Sequence, residues 1–387
     1  MGKATIGVVG AGTMGQGIAQ VASGCQHEVY LYDAYPDQLG KAKHTLRKIL
    51  QRQVEKQRMT QQEVNSIMER IHFVEDLTAY DRCSLVFEAV VEDMDTKQDV
   101  VRRLEGVVSR DCLLASNTSS LSIASISSDL KKPKRFLGIH FFNPAPLMPL
   151  VEIIPGISTS DKTVREARNL IDSWGKTTVL AKDTPGFIVN RVARPFYGEA
   201  LRQLEEGVAG VTTIDWAVKE IGAFKMGPFE LMDYIGNDIN YKVTKTIFEE
   251  FFYDPRFKPS FTQKRMVEAG HLGRKSGRGF YDYRKKAQHP EPVTDRELGR
   301  QIVDRIVMML INEAADAVFM NVATAGDVDL AMTSGVNYPR GPLRWADKLG
   351  LRTVLGRLTD LQAEYGEDRY RPNPLLKRKV REGKTFY

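Results

Sequence analysis

A glycine-rich loop directly after a short β-branched segment constrains the fold of this chain more than any other feature. Residues 5–9 have the composition of a buried parallel strand, and Gly10-Ala11-Gly12-Thr13-Met14-Gly15 follows at once. In this pattern the first glycine allows a tight turn, the second lets the backbone approach a pyrophosphate, and the third permits close helix packing. Residues 17–20 continue a helix whose N-terminus would face the phosphates. This order predicts a domain that binds a dinucleotide.

An acidic residue after a second strand-like segment supports this interpretation and indicates the cofactor. Residues 28–32 have strand composition, and Asp33 follows them where a carboxylate would meet the adenosine ribose of a dinucleotide. A charge at Asp33 would repel a 2′-phosphate, and no arginine follows directly to accept one. The alternative is a glycine-rich turn with an incidental aspartate. The order strand, loop, helix, strand favours the dinucleotide site, and Asp33 predicts NAD.

Length and composition restrict the class of protein. A chain of 387 residues is expected to hold two or three domains. No apolar segment approaches the roughly 20 residues of a membrane-spanning helix. The first residues leave no room for a signal peptide, and Cys25, Cys83 and Cys112 are too few and too far apart for a disulfide framework or a cysteine metal site. We therefore expect a cytoplasmic protein with reduced thiols and no membrane partner.

The positive net charge bears on the kind of partner. The net charge is +6, but 49 acidic residues are mixed among 55 basic ones and no nucleic-acid motif is present. A phosphate-bearing small molecule fits this charge, and a solvated surface explains it equally well. Between residues 41 and 58, which have a helical pattern, seven basic residues accompany a single acidic one. This arm could hold the phosphates of a bulky anion, and a solvated helical face is the alternative.

Polar residues follow three further strand-like segments. Residues 85–87 lead into 88–92, residues 112–115 lead into 116–120, and residues 136–139 lead to His140. Ligands of an open parallel sheet lie outside the carboxyl ends of its strands, so these residues are expected on the nicotinamide side of the crevice.

A histidine and a glutamate, His140 and Glu152, lie in neighbouring strand-like segments. Oxidation of an alcohol requires a base that removes its proton while hydride leaves the carbon, and imidazole, with an unperturbed pKa of about 6.5, suits this task. A nearby carboxylate would fix the tautomer and stabilise the imidazolium. Taken alone, His140 could equally be a hydrogen-bonded core residue.

The chain resembles the 3-hydroxyacyl-CoA dehydrogenase family in motifs that span roughly residues 4 to 286. They are Gly10-Ala11-Gly12-Thr13-Met14-Gly15, Ser116-Asn117-Thr118-Ser119-Ser120-Leu121, His140-Phe141-Phe142-Asn143-Pro144, Asp183-Thr184-Pro185-Gly186-Phe187-Ile188-Val189-Asn190-Arg191, Met226-Gly227-Pro228-Phe229-Glu230-Leu231 and Gly277-Arg278-Gly279-Phe280-Tyr281. The resemblance implies reversible, NAD-dependent oxidation of a 3-hydroxyacyl-CoA to a 3-ketoacyl-CoA, as in the β-oxidation of fatty acid metabolism. A short-chain substrate such as 3-hydroxybutyryl-CoA is expected, and 3-hydroxyadipyl-CoA stays open.

The resemblance also implies a role for each matching position, and it implies no metal. His140 would be the general base, Glu152 its partner, and Ser119 and Asn190 would bind the reacting oxygens of the substrate. Cofactor contacts are implied for Gly10, Gly12, Thr13, Met14, Gly15, Asp33, Glu92, Lys97, Asn143 and Lys275. Lys56 is implied as a CoA phosphate contact. A serine that the family often places before this lysine is replaced here, in a loose alignment, by Ile49, which leaves the CoA contacts open.

The last hundred residues repeat the preceding segment at a fixed offset of 114 residues. The matched pairs are Arg191 with Arg305, Glu199 with Glu313, Asp215 with Asp329, Gly227 with Gly341, Asp233 with Asp347 and Gly236 with Gly350. One deletion later, Pro259, Val267 and Gly270 match Pro372, Val380 and Gly383. The second copy has Asp304 in place of Asn190, and no counterpart is expected for the segment after Lys275. It is therefore expected to be structural.

The sequence thus predicts an α/β protein in which a Rossmann-like NAD domain precedes two tandem all-α domains. The predicted domains are residues 1–184, 185–286 and, after a polar linker, a degenerate copy over 291–387. The two helical copies are expected to pack as an internal pseudo-dimer, and further homo-oligomerisation stays open. A sugar-acid dehydrogenase similar to gulonate dehydrogenases is an alternative, which the Asn-Thr-Ser-Ser motif and the basic arm disfavour. A non-enzymatic NAD-binding protein is another, which the presence of all four implied catalytic residues disfavours.

Overall fold

The computed structural model describes residues 3–285 and 287–387. Met1, Gly2 and Lys286, which include two predicted domain ends, lie outside the described residues. The chain forms two compact units, Met1–Thr184 and Pro185–Tyr387. The first unit combines a sheet with helices and the second is helical, which confirms the predicted α/β fold class. None of the helices in the described ranges is long and apolar enough to cross a membrane.

The first unit is built on a sheet with the strand order β3-β2-β1-β4-β5-β6-β7-β8. The strands are β1 (Thr5–Val9), β2 (Glu28–Tyr32), β3 (Ile71–Val74), β4 (Leu85–Glu88), β5 (Leu113–Ser116), β6 (Phe136–Phe141), β7 (Leu150–Pro155) and β8 (Thr177–Leu180). Neighbouring strands are parallel except β6 and β7, which are antiparallel. The expected open parallel sheet is therefore wrong at this pair. The connection 142–149 is too short for the crossover that parallel strands require.

Helices cover both faces of this sheet, and strand residues such as Ile6, Val8 and Ile153 are fully buried beneath them. The helices are α1 (Thr13–Gly24), α2 (Pro36–Glu55), α3 (Gln61–Glu69), α4 (Met94–Val107), α5 (Ile123–Ile126) and α6 (Asp161–Ser173), with 3₁₀ turns at Leu77–Tyr80 and Pro133–Arg135. The helix expected over residues 41–58 ends earlier, at Glu55. Gln57 has a left-handed φ of +56°, which a continuing helix does not allow.

The second unit consists of two successive sets of helices. The first set is α7 (Val189–Val192), α8 (Arg194–Glu205), α9 (Val211–Glu220), α10 (Pro228–Ile235), α11 (Asn237–Glu250) and α12 (Phe261–Glu268), with 3₁₀ turns at Pro255–Phe257 and Arg274–Ser276. The second set is α13 (Arg296–Phe319), α14 (Ala325–Gly335), α15 (Pro342–Leu349), α16 (Leu351–Tyr365) and α17 (Pro374–Glu382), with a 3₁₀ turn at Asp368–Tyr370. Helices α9, α10 and α11 begin 114 residues before α14, α15 and α16, which is the offset of the sequence repeat.

Equivalent aspartates make equivalent hydrogen bonds in the two sets. Asp215 accepts the amides of Phe229 and Glu230 at 3.0 and 2.9 Å. Asp329, at the repeat offset, accepts the amides of Leu343 and Arg344 at 2.8 and 2.9 Å. In each set the aspartate thereby satisfies amides at the start of the next helix, so the repeated residues have the same structural task.

The structure corrects the expectation that the second copy has no counterpart of the segment after Lys275. Phe280 and Tyr281 donate their amides to Asp233 at 2.9 Å each, and Phe386 and Tyr387 donate theirs to Asp347 at 3.0 Å. The hydroxyls of Tyr281 and Tyr387 donate to Asp215 and Asp329 at 2.8 and 2.9 Å. What the second copy lacks is residues 271–277. Their absence shifts the offset beyond Gly383 and hides the match from a comparison at fixed register.

The two sets exchange buried ion pairs between equivalent residues. Nε of Arg191 lies 2.6 Å from Glu313, and Nε of Arg305 lies 2.9 Å from Glu199. Each arginine therefore pairs with the glutamate of the other set. Three of these side chains are at least 97% buried and Arg305 is 8% exposed, so these charges are stable only with opposite charges nearby.

Candidate active site

The glycine loop joins β1 to α1 and is open on one side. Gly10 has a φ of +103°, and a Cβ there would come within 2.4 Å of Ala89 O, so only glycine fits this position. A Cβ on Gly15 would lie 1.8 Å from Gly10 O, whereas a Cβ on Gly12 would meet no atom within 4 Å. Among the described residues no side chain caps α1, which begins with Thr13 and Met14. The loop therefore has an open face beside helix amides that can receive a phosphate.

Asp33 lies at this loop. Its Oδ2 accepts the amide of Ala11 at 2.7 Å and its Oδ1 accepts the amide of Tyr35 at 3.0 Å. The carboxylate is therefore fixed next to the open face of the loop, at the position predicted for a ribose contact. The open glycine, the uncapped helix and this acid together fit a dinucleotide.

His140 and Glu152 form a buried pair. The two residues are direct partners in the antiparallel register of β6 and β7, so their side chains lie on the same face of the sheet. Nδ1 of His140 is 2.7 Å from Oε2 of Glu152, and the residues are 5% and 0% exposed. A carboxylate at Nδ1 favours the tautomer that carries its proton there and directs Nε2 away from the glutamate. The structure brings together the two residues that the sequence placed in neighbouring strands.

The loop after β5 is fixed around one carboxylate oxygen. Oε1 of Glu92 accepts the hydroxyl of Thr118 at 2.6 Å and the amides of Ser119 and Ser120 at 3.0 and 3.1 Å. Burial by itself would raise the pKa of Glu92, but the charge of Lys97 and these donors outweigh it and hold the pKa below its usual value. Glu92 is thus an anion that positions Ser119.

Lys97 lies beneath this loop. It is 1% exposed, and its Nζ lies 2.7 Å from Oε1 of Glu88 and 3.2 Å from Oε2 of Glu92. Oε2 of the fully buried Glu88 also accepts the hydroxyl of Ser116 at 2.5 Å. Of the predicted cofactor residues, Glu92 and Lys97 therefore lie together with Ser119 at the carboxyl ends of β4 and β5.

Asn143 and Lys56 are exposed residues of the first unit. Asn143 follows β6, three residues after His140, and Lys56 follows the last residue of α2. Basic residues of the same arm line a cavity of about 770 Å³ between α2 and α3. Its lining includes Lys43, His44, Arg47, Lys48 and Phe73. The arm predicted to hold an anion thus has a basic cavity as well as the exposed Lys56.

Asn190 and Lys275 belong to the second unit. Asn190 lies in α7, and its backbone carbonyl accepts Nε of Arg194 at 2.8 Å. Lys275 lies in the 3₁₀ turn Arg274–Ser276, with its Nζ 2.6 Å from Oδ1 of Asp238.

Two acids of the first unit, which received no individual role from the sequence, hold neighbouring elements in place. Glu88 binds Lys97, and Asp183 accepts the amides of Ile123 and Ala124 at 3.0 and 2.8 Å at the start of α5. Glu88 ends β4 and Asp183 follows β8, and this position at a strand end was the only feature of the sequence that pointed to them. Their hydrogen-bond partners depend on packing that spacing along the chain does not reveal.

Family models match nearly the whole chain. The model described as 3-hydroxyacyl-CoA dehydrogenase, NAD binding domain, matches residues 5–184. The model described as 3-hydroxyacyl-CoA dehydrogenase, C-terminal domain, matches residues 186–283 and again residues 302–385.

Individual proteins give the same result. The chain is 36% identical to a 3-hydroxyadipyl-CoA dehydrogenase of Escherichia coli K12 over 97% of both chains. It is 40% identical to a 3-hydroxybutyryl-CoA dehydrogenase of Bradyrhizobium diazoefficiens over 72% of this chain and 95% of that protein. The crystal structure of a 3-hydroxybutyryl-CoA dehydrogenase from E. coli K12 superposes with a TM-score of 0.93 at 36% identity and covers 99% of both chains. The chain therefore belongs to the 3-hydroxyacyl-CoA dehydrogenase family of NAD-dependent oxidoreductases.

Proposed function

We propose that this protein oxidises short-chain 3-hydroxyacyl-CoA thioesters to 3-ketoacyl-CoA, with His140 as the general base. The observation that carries the proposal is the buried pair in which Nδ1 of His140 lies 2.7 Å from Glu152. The carboxylate holds the imidazole in one tautomer and stabilises the imidazolium once it forms.

His140 and Glu152 carry out the proton transfer in this proposal. NAD, when bound, supplies the acceptor for the hydride that leaves C3. His140 accepts the proton of the 3-hydroxyl at Nε2, and Glu152 stabilises the resulting positive charge across Nδ1. Ser119, held by Glu92, hydrogen-bonds the reacting oxygen, and the family pattern assigns a second such bond to Asn190.

The remaining predicted residues bind cofactor and CoA in this proposal. Residues 10–15 would hold the pyrophosphate, Asp33 the adenosine ribose, and Glu92, Lys97 and Asn143 the nicotinamide end, while Lys275 would be a further cofactor contact. Lys56 and the basic arm would bind CoA phosphates, and the cavity between α2 and α3 supports a preference of this arm for anions.

An absorbance assay at the NADH band tests the proposal. We expect rapid oxidation of NADH with acetoacetyl-CoA and none with a free keto acid, because the basic arm has no target on a substrate without CoA phosphates. Turnover of sugar acids in preference to the thioester would favour the gulonate-type alternative.

A dicarboxylic substrate, 3-hydroxyadipyl-CoA, is the second candidate. It is favoured by the E. coli relative of that name, which matches this chain over 97% of its length. Values of kcat/KM across a series of 3-hydroxyacyl-CoA thioesters, including the adipyl member, separate the two. We expect the butyryl thioester to have the highest value.

Replacing Asp33 with alanine is expected to narrow the preference for NAD over NADP. In the unmodified protein a 2′-phosphate would meet the carboxylate that now accepts the Ala11 amide at 2.7 Å. The ratio of kcat/KM for the two cofactors measures this preference. Equal use of NAD and NADP by the unmodified protein would contradict the assignment.

The segment with Lys275 is absent from the second copy, and so are the residues that hold it. In the first copy Asp238 binds Lys275, and the side chain of Asn237 donates to a carbonyl of this segment at 2.8 Å. At the repeat offset these two anchors are replaced by Leu351 and Arg352. The second copy thus folds without residues 271–277 and without the two side chains that hold them. This supports a role for Lys275 in binding rather than in folding.

A graft of the second copy's sequence tests this task. We expect a variant with Asn237→Leu, Asp238→Arg and residues 271–277 deleted to keep its Tm, because the second copy folds with this arrangement. We expect its Kd for NADH to rise about ten-fold through loss of the Lys275 ammonium. Lys275→Met in the full-length chain removes the same ammonium without the guanidinium that Asp238→Arg introduces, and it should also weaken binding. Unchanged NADH binding in both variants would remove Lys275 from the cofactor site.

We further propose that the helical copies, 185–286 and 291–387, form an internal pseudo-dimer that follows an NAD domain over 1–184. The exchanged pairs Arg191–Glu313 and Arg305–Glu199 support it, because a two-fold interface joins residue i to j and residue j to i. Cytoplasmic placement is supported by Cys25, Cys83 and Cys112, all of which are free thiols. Burial raises the pKa of Cys83 and Cys112 to about 12, so these two thiols are unreactive. Light scattering would show whether these chains associate further.

A further inference from the structure

Glu88 is a fully buried acid of the first unit. It ends β4 with an exposure of 0%. Its Oε1 accepts the amide of Val90 at 2.8 Å and Nζ of Lys97 at 2.7 Å, and its Oε2 accepts the hydroxyl of Ser116 at 2.5 Å. A carboxylate buried this deeply is stable only with such compensation, so its charge and its shape both matter to the groups around it.

Glu88, Lys97 and Glu92 form a cluster of three charges with one negative charge in excess. Lys97 lies between the two carboxylates, and in the described part of the chain no other basic side chain lies within ion-pair distance of either acid. The side chains of Glu88 and Lys97 are 0% and 1% exposed, but that of Glu92 is 25% exposed. The excess charge is therefore presented at Glu92, next to Ser119.

We propose that this cluster strengthens the binding of NAD⁺ relative to that of NADH, and that Glu88 is the positioning residue that sets the charge of the cluster. The nicotinamide ring carries a positive charge in NAD⁺ and none in NADH, so an excess negative charge beside it stabilises only the oxidised form. This inference rests on the proposed assignment of Glu92 and Lys97 to the nicotinamide end.

Glu88 acts through Lys97. With Glu88 ionised, the ammonium of Lys97 is shared between two carboxylates and leaves Glu92 with uncompensated charge. Without the charge of Glu88, Lys97 would neutralise Glu92 and the cluster would carry no net charge. The hydrogen bonds from Thr118, Ser119 and Ser120 would hold Glu92 in place in both cases.

The substitution Glu88→Gln separates charge from shape. The amide oxygen of glutamine can accept from Val90 and Lys97, and its amide nitrogen can donate to the hydroxyl oxygen of Ser116, so the network stays bonded. We expect Kd for NAD⁺ to rise about ten-fold while Kd for NADH stays within about two-fold, as the loss of one nearby charge requires. Titration of the protein with each cofactor, without any acyl-CoA, measures both constants.

Ser116→Ala is the matched control, because it removes a hydrogen bond to Glu88 and changes no charge. We expect it to leave the ratio of the two dissociation constants unchanged. Glu92→Gln removes the same unit of charge at the exposed end and should shift the ratio in the same direction, which provides a second test if Glu88→Gln does not fold. An unchanged ratio in the glutamine variants, whether both dissociation constants stay the same or change by equal factors, would overturn the inference. Since no thioester is present, failure of the proposed dehydrogenase activity would be a separate result.

Discussion

Replacing His140 with glutamine is expected to lower kcat by about 100-fold or more, the scale on which enzymes lose rate without their general base. Glutamine can still hydrogen-bond Glu152, but its amide has no basic nitrogen to take the proton of the 3-hydroxyl. The residues that form the glycine loop and the Asp33 site belong to other strands, so NADH affinity should stay within about a few-fold. Initial rates at saturating thioester and NAD, with NADH titration of the free protein, measure the two effects.

A second histidine–glutamate pair in the same sheet provides the control. Nε2 of His72 on β3 lies 2.8 Å from Glu28 on β2, and this pair is exposed by 42% and 45%. His72→Gln removes an imidazole from a similar pair and should leave kcat unchanged. If His140→Gln also turned over at nearly the normal rate, His140 would have no place in the mechanism.

The sequence could place His140 and Glu152 near each other but could not supply their geometry. Both lie in apolar segments of strand composition, and this was sufficient to expect adjacent strands. Their contact depends on an antiparallel register in which the two residues are direct partners. A shift of one residue would turn the side chain of Glu152 to the opposite face of the sheet, and composition contains no signal for that choice.

The pairing of Lys97 with Glu88 could not be predicted from the sequence. Lys97 lies in α4, whose many charged residues indicate an exposed helix. Its burial depends on how α4 packs against the end of β4, nine residues earlier in the chain. The family resemblance implied a cofactor contact for Lys97, and it gave no indication that Lys97 also forms a buried ion pair with Glu88.

The repeat was predictable in its helices and less so in its contacts. A constant offset of 114 residues identified Asp215 and Asp329 as equivalent, and both satisfy amides at a helix start. The hydrogen bonds from Phe386 and Tyr387 to Asp347 could not be predicted, because the second copy lacks residues 271–277 and the repeat offset changes there. Only the hydrogen bonds reveal that equivalence.

Deleting residues 289–387 is expected to abolish the stable monomer. Helix α13 packs along α8 and α9, and Tyr338 contacts the rings of Phe196 and Phe224 at centroid distances of 5.7 and 5.0 Å. Without the second copy these two aromatic side chains, now 1% and 6% exposed, would lie on an apolar face. Such a face drives self-association or aggregation. We therefore expect dimers or aggregates in size-exclusion chromatography with light scattering, and a lower Tm.

The buried charges make the same deletion costly for a second reason. Arg191 would lose both Glu313 and Asp316, and Glu199 would lose Arg305 and keep Arg202 at 3.5 Å. Breaking a buried pair by removing one partner typically destabilises by about 3–5 kcal/mol. If the second copy replaces a partner subunit, Arg191 of each truncated chain should pair with Glu199 of the other chain across a two-fold axis. Dimerisation should then restore part of the stability.

A charge exchange isolates the pairing from the apolar contacts. Arg191→Glu alone would place an acid beside Glu313 and Asp316 and should lower Tm strongly. Adding Glu313→Arg should recover only part of the loss, because residues 191 and 313 again carry opposite charges while Asp316 and Arg256 stay in place. A truncated chain that stays monomeric, as stable as the full protein and fully active would show that the second copy does not substitute for a subunit. Equal stability of the single and double variants would show that the exchanged pairs do not hold the copies together.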